Sequence, residues 1–173
     1  MIGGPGRTVV GVSSSPAALS ALVRGVEEAR RRNAELVVVR AFASLGDPLP
    51  VNGTEPATIR MLRHRAAAAI ERAFGSIGGA PYDLDVSRET PVGSAGQALV
   101  DLADRPDDLL IVGRDRHRTL HRLLHGSVAG YCVAHAACRV LVVPGPRAST
   151  PAPERHALSR TVIRRWVSST EPS

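Results

Sequence analysis

Four short runs of β-branched and aliphatic residues, RTVVGV (7–12), ELVVVRAF (35–42), DDLLIVG (107–113) and CRVLVVP (138–144), are separated by stretches with helical periodicity. This alternation constrains the fold more than any other feature of the chain. Runs that are apolar at every position, as in DDLLIVG, suit strands buried on both faces, which is the condition of a parallel sheet covered by helices. A fifth stretch, YDLDVSRE (82–89), alternates instead, and as a strand it places Tyr82, Leu84 and Val86 on one face. Five strands alternating with helices predict an α/β fold: an open parallel sheet sandwiched by helices, with right-handed crossovers. Ligands of such sheets bind beyond the carboxyl ends of the strands, where the direction of winding reverses. The loops after the first and fourth strands, SSSP and GRDRHRTLHRLLHGS, are the candidates.

The helices carry their own punctuation. Ser15 precedes Pro16 at the start of the first, where a hydroxyl cap and a proline at the first helical position are both favoured. Leu19, Leu22, Val23, Val26 and Ala29 recur along it, and Asn33 follows an arginine-rich last turn as its stop. Ile59, Leu62, Ala66, Ala69, Ile70 and Ala73 mark the second helix, closed at Gly75 and the turn at 78–81. Ala98, Leu99, Leu102 and Ala103 mark the third. Ser127 opens a fourth, with Val128, Cys132, Val133 and Ala136 expected to point inward. Between the second strand and helix, SLGDPLPVNGTEP (44–56) reads either as a lid over a site or as disorder.

At 173 residues and 43% hydrophobic content the chain supports one well-buried core. Residues 1–6 read as a flexible N-terminal lead, 7–144 as the domain, and 145–173 as a Pro-rich linker followed by a basic amphipathic helix. That helix places Leu158, Val162, Ile163, Trp166 and Val167 on one face and Arg155, Arg160 and Arg164 on the rest. Packing on its own domain or on a dimer mate is favoured for it over membrane-surface or nucleic-acid binding, because one Trp and few basic residues make a weak anchor. No run is long and apolar enough for a membrane span, and the N-terminus lacks the pattern of a secretory signal. A cytoplasmic location is the expectation. Cys132 and Cys138 form no CxxC pair and read as reduced core residues.

All 22 cationic side chains are arginine. Without lysine there is no P-loop, and no lysine nucleophile. The net charge of +6 is concentrated in two places. Arg114, Arg116, Arg118 and Arg122 face only Asp115 between Gly113 and Gly126, and five arginines face two acids beyond Pro144; elsewhere the charges balance. Excess charge confined to a loop at the end of a strand points to an anionic partner. His117, His121 and His125 share that loop at four-residue spacing. The neighbouring arginines repel a cation, so the histidines read as solvent-facing and no resident metal is expected.

The stretches VVGVSSSPAALSALVRGVEEARRRNAELVVVRAF, GSAGQALVDLADRPDDLLIVG and GSVAGYCVAHAACRVLVVP together resemble the universal stress protein (UspA) family, in a single-domain form with a C-terminal extension. The resemblance covers about residues 7–144 and is most specific in the last third. It implies a five-stranded parallel sheet of order 3-2-1-4-5, and a homodimer formed through the last strand, here Arg139, Val140, Leu141, Val142 and Val143. It also implies ATP binding through Gly, two residues, Gly, nine residues, then Gly-Ser or Gly-Thr. Gly113 and Gly126-Ser127 fit that spacing; Arg116 stands where the second glycine belongs. Ser13 stands where ATP-binding relatives carry an aspartate that helps to hold the nucleoside. Ala41, at the end of the second strand, suits backbone contact with adenine.

Gly126, Ser127 and Val128 at a helix start offer N–H groups and a favourable dipole to an anion. Arg116 has two readings: its planar fork grips a phosphate, or its side chain fills the phosphate's space. The first gives an adenine-nucleotide module with ATP as cofactor, and magnesium only as the nucleotide's companion. The second gives a nucleotide-independent dimeric scaffold whose basic tail contacts an unknown protein partner. A dedicated enzyme is not the expectation, since the Gly11–Ser15 turn lacks the last glycine of a nucleophile elbow and no general base is evident. Nucleic acid ranks below both, because stacking aromatics are nearly absent.

Overall fold

The computed structural model describes residues 6–43, 55–114 and 127–146. Nine elements follow in order among them: β1 (Thr8–Gly11), α1 (Pro16–Arg32), β2 (Leu36–Val39), α2 (Ala57–Ser76), β3 (Val86–Glu89), α3 (Ala95–Leu102), β4 (Leu109–Arg114), α4 (Val128–His135) and β5 (Arg139–Pro144). The strands pair in parallel throughout, in the order β3-β2-β1-β4-β5. The chain winds one way from β1 to β3 and the other way from β4 to β5. Right-handed crossovers therefore put α1 and α2 on one face, and α3 and α4 on the other.

Strand alternation builds a separate core on each face. Val10, Val12, Leu36, Val38, Leu109 and Ile111 point toward α1 and α2, where they meet Leu22, Val26, Ile70 and Phe74. Val9, Val37, Val39, Leu110 and Val112 point the other way, onto Leu99, Ala129 and Cys132. The three central strands β2, β1 and β4 are thus apolar on both sides, as their sequences require.

The amino ends of β1 and β4 are tied by charge. Asp108, fully buried, accepts from the backbone N–H of Arg7 at 2.8 Å and from its guanidinium at 2.6 Å. Arg7 also reaches Asp104 and the Leu102 carbonyl. On α1, buried Glu28 accepts from Arg24 at 2.6 Å and from Arg31 at 2.5 Å. The Arg31 hydrogen bond outweighs the cost of burial and holds the Glu28 carboxyl below its ordinary value.

Several local expectations are corrected. Helix α2 runs through Gly75 to Ser76; its end is made by Gly78 and Gly79, whose φ values of 99° and 114° only glycine adopts without strain, with Gly79 N–H donating to the Phe74 carbonyl. Tyr82 is not a strand residue and is 86% exposed. A strand forms only where a partner exists, and the four residues of β2 provide for Val86–Glu89 alone; Leu84 still packs against the core from the preceding loop. On α4, Val128 and Val133 face outward, 40% and 60% exposed, because the helix meets the sheet through Ala129 and Cys132. Ser15 and Asn33 cap α1 as expected, Ser15 Oγ accepting from Ala18 N–H and Asn33 adopting the left-handed conformation. Most of the loop at 44–56, the histidine cluster and the C-terminal segment lie outside the described residues.

Candidate functional site

The winding reverses between β1 and β4, and the crevice beyond their carboxyl ends is where sheets of this kind take their ligands. Four chain segments border it: Val12–Ser15 after β1, Arg40–Phe42 after β2, Gly113–Arg114 at the end of β4, and Ser127–Val128 at the start of α4. The expected site residues Ser13, Ala41, Gly113, Ser127 and Val128 thus belong to one end of the sheet. Arg116 and Gly126 lie outside the described residues.

Ser127 is the N-cap of α4. Its backbone is extended, and its Oγ accepts from the Gly130 N–H at 3.0 Å. The cap consumes an acceptor site and leaves the hydroxyl proton to be donated outward. The first-turn N–H groups of Val128 and Ala129 have no acceptor among the described residues, as is general at helix starts. Helix start and hydroxyl together offer donors and partial positive charge to an anion. Ser127→Ala is expected to cost about 1 kcal/mol, read as a melting temperature lower by roughly 2–4 °C, with the fold retained by circular dichroism.

Gly113 has a structural reason to be glycine. A Cβ there would lie 2.4 Å from the Ala17 carbonyl oxygen and 2.7 Å from the Ala18 nitrogen, because the first turn of α1 crosses the end of β4. This turn also touches Gly145 beyond β5. On that face the crevice is closed by α1. The donors of Ser127 and Val128 belong to the opposite face, where α4 begins.

Ser13 is exposed, and its hydroxyl is used within the turn: Oγ accepts from Ser15 N–H at 3.3 Å and donates to Ser15 Oγ at 3.2 Å. It shapes the entry to α1 more than it offers itself to a ligand. Beside it, Arg40 donates to the Val12 carbonyl at 3.2 Å, a link between the ends of β2 and β1 that the sequence reading missed. The only signal for it was the arginine that ends the apolar run LVVVR.

Ala41 stands between two residues whose N–H groups point toward β3: Arg40 donates to the Glu89 carbonyl and Phe42 to the Pro91 carbonyl. Strand alternation turns Ala41's own N–H and C=O toward β1, whose chain has already left the sheet at Ser13. A donor and an acceptor side by side therefore face the crevice. The outer wall is held by Arg63 of α2, which bonds Glu55 and the Thr90 carbonyl and lies over the Phe42 ring at 5.7 Å.

Among the described residues no cluster of His, Cys, Asp or Glu has the makings of a metal site. The Cys132 thiol is pushed up to about 11, chiefly by burial and further by Cys138 nearby, which marks it as a packing residue and not a nucleophile.

A sheet of order 3-2-1-4-5 with a capped helix start beyond its fourth strand agrees with the family comparison, in which the model described as the universal stress protein family matches residues 6–144. The chain belongs to the universal stress protein family. A universal stress protein of Mycolicibacterium smegmatis is 32% identical over 123 residues, 70% of this chain and 84% of that one. A crystal structure of a universal stress protein in complex with cAMP is 28% identical with a TM-score of 0.56, covering 83% of this chain and 100% of that one. A universal stress protein family member from Arabidopsis thaliana with AMP bound is 18% identical, with a TM-score of 0.52 over 86% of this chain and 97% of its own, and shares the fold. The 29 residues of this universal stress protein from Gly145 to Ser173 lie beyond the matched region.

Proposed function

We propose that this universal stress protein is a binding and regulatory module, not a dedicated enzyme, that takes an adenine nucleotide across the β1/β4 crevice. The observation that carries this reading is the start of α4, where Ser127 and the N–H groups of Val128 and Ala129 face the ligand end of the sheet. The paired N–H and C=O of Ala41 suit the edge of adenine, which presents a ring-nitrogen acceptor beside an amino donor. The phosphate lies at Ser127 and Val128 with Gly113, Arg116 and Gly126 alongside, and the nucleoside lies over Ser13 toward Ala41. ATP and cAMP are the ligands to compare, the first for the glycine spacing and the second because a relative 28% identical was crystallised with it. The module acts as a homodimer through β5, an edge strand that pairs only with β4 in the sheet and keeps Val140, Leu141, Val142 and Val143 half-buried.

A second reading is favoured by Ser13. Its hydroxyl is bound within the turn, so the nucleoside half has lost a carboxylate without gaining a substitute. On this reading the chain is a nucleotide-independent dimeric scaffold, and Arg116 fills the phosphate's place.

One experiment separates the two. The protein is purified without added ligand and denatured, released nucleotide is assayed, and ATP and cAMP are titrated into wild type and Arg116→Gly. Binding by wild type that weakens in Arg116→Gly assigns Arg116 as a phosphate ligand. Binding gained only in Arg116→Gly, with none by wild type, establishes the scaffold.

A further inference from the structure

Helix α4, VAGYCVAH, is uncharged along seven of its eight positions, and its apolar character does not stop at the sheet. Ala129 and Cys132 are buried against the strands. On the solvent side Gly130 and Ala134 are exposed, Tyr131 is 36% exposed and Val133 is 60% exposed. A helix that is apolar all round is normally covered all round. Half of the exposed large apolar residues among those described belong to this one short helix.

The chain itself supplies a matching surface. Helical spacing in residues 155–167 gathers Leu158, Val162, Ile163, Trp166 and Val167 on one side, flanked by Arg160 and Arg164. This segment is tethered where it needs to be. β5 ends at Pro144, at the end of the sheet where α4 begins, and the chain leaves the described fold at Gly145, which lies against Ala17 of α1, so the tether has to round the edge strand to reach α4. Residues 147–154 reach at most about 28 Å when extended, against a length of about 12 Å for α4. The tether is ample without being so long that it favours another molecule. Charge agrees as well: neighbouring α3, whose Gly96 packs under Tyr131, carries exposed Asp101, whereas Asp104 just past its end is already paired with Arg7. A carboxylate beside an apolar face complements a basic amphipathic segment.

We propose that residues 155–167 dock on the outer face of α4 in the same chain, Trp166 and its apolar neighbours covering Tyr131, Val133 and Ala134, and Arg160 and Arg164 turned toward Asp101. The proposal is independent of nucleotide binding. It assigns the C-terminal extension an intramolecular partner.

Trp166 is the chain's single tryptophan, so its fluorescence reports docking in the full-length protein without a label. The expected result is a blue-shifted emission that does not change with protein concentration, with quenching by acrylamide several-fold weaker than for free tryptophan. Ala134→Arg, at an exposed position, should shift the emission to the solvent value and raise quenching several-fold while circular dichroism is retained. Asp101→Arg, on α3, should do the same in part and provides the test if Ala134→Arg does not fold. A solvent-like Trp166 in wild type overturns the proposal. So does a blue shift that grows with concentration, which assigns the segment to a second copy, or a blue shift indifferent to both substitutions, which places it elsewhere.

Discussion

Gly113→Ala is expected to lower the melting temperature by on the order of 10 °C, before any effect on ligand binding is considered. The added Cβ meets the carbonyl carbon and oxygen of Ala17 and the nitrogen of Ala18, all at 2.7 Å or less. These are backbone atoms in the first turn of α1, so the clash is relieved only by moving the helix off β4 or bending the strand. Overpacking of this kind costs about 3 kcal/mol, the upper part of its usual range. Gly11→Ala is the control: its Cβ would meet the Cδ1 of Leu99 at 2.8 Å, the far end of a side chain that can rotate, and a smaller loss is expected. Thermal melts of both variants check the ordering. The consequence for function is practical. Loss of nucleotide binding in Gly113→Ala would mimic loss of a phosphate contact, so that residue is a poor probe of the site, whereas Ser127 and Arg116 are informative.

Asp108→Asn is expected to cost about 3 kcal/mol. The side chain is fully buried, and its oxygens accept from Arg7 Nε and Nη2 and from the backbone N–H groups of Arg7 and Arg105. An amide keeps the shape but sets an NH2 group against the guanidinium and leaves Arg7 without its counter-charge. Replacing both partners, Arg7→Met with Asp108→Leu, should be milder than Asp108→Asn alone, because the unpaired buried charge is what costs. Burial by itself pushes the Asp108 carboxyl up; the hydrogen bonds from Arg7 and Arg105 outweigh it and leave the value below that of an ordinary aspartate. The folded state therefore binds this proton less readily than the unfolded chain does. The resulting stability is complete above the ordinary carboxylate value of about 3.9 and is lost as pH falls through the lower folded value. Glu28 and Asp83, both held low, first of all by hydrogen bonds from Arg31 and Arg30, act in the same direction. Chemical denaturation between pH 7 and 3 should show wild type losing more stability than Asp108→Asn.

Strand alternation carried most of the fold. VVGV, LVVV and LLIV are apolar at consecutive positions because each side of the sheet has its own core, and this is legible without coordinates. The edges were less so. YDLDVSRE alternates over eight residues, yet strand length at an edge is set by the neighbour, and β2 pairs over four. For α4 the expectation placed Val128 and Val133 inward on hydrophobicity alone; the sheet is met instead by Ala129 and Cys132, since small side chains let a short helix approach closely. At the site, Ser127 at the start of α4 was foreseen. The Arg40–Val12 link was not, because it depends on where two strands end relative to one another, which no local pattern encodes. The tight fit of Gly113 against α1 was hidden for the same reason.

The two layers that cover the sheet are unequal. α1 and α2 run for 17 and 20 residues, while α3 and α4 have eight each and meet the strands chiefly through Leu99, Ala129 and Cys132. Fewer methyl groups hold the second layer in place, so it opens at lower free energy than the first. The start of α4 lies in that layer. On the proposed function, a ligand held there would tighten the more lightly packed layer, and its arrival would be felt along the outer surface of α3 and α4 instead of in the heavier layer behind.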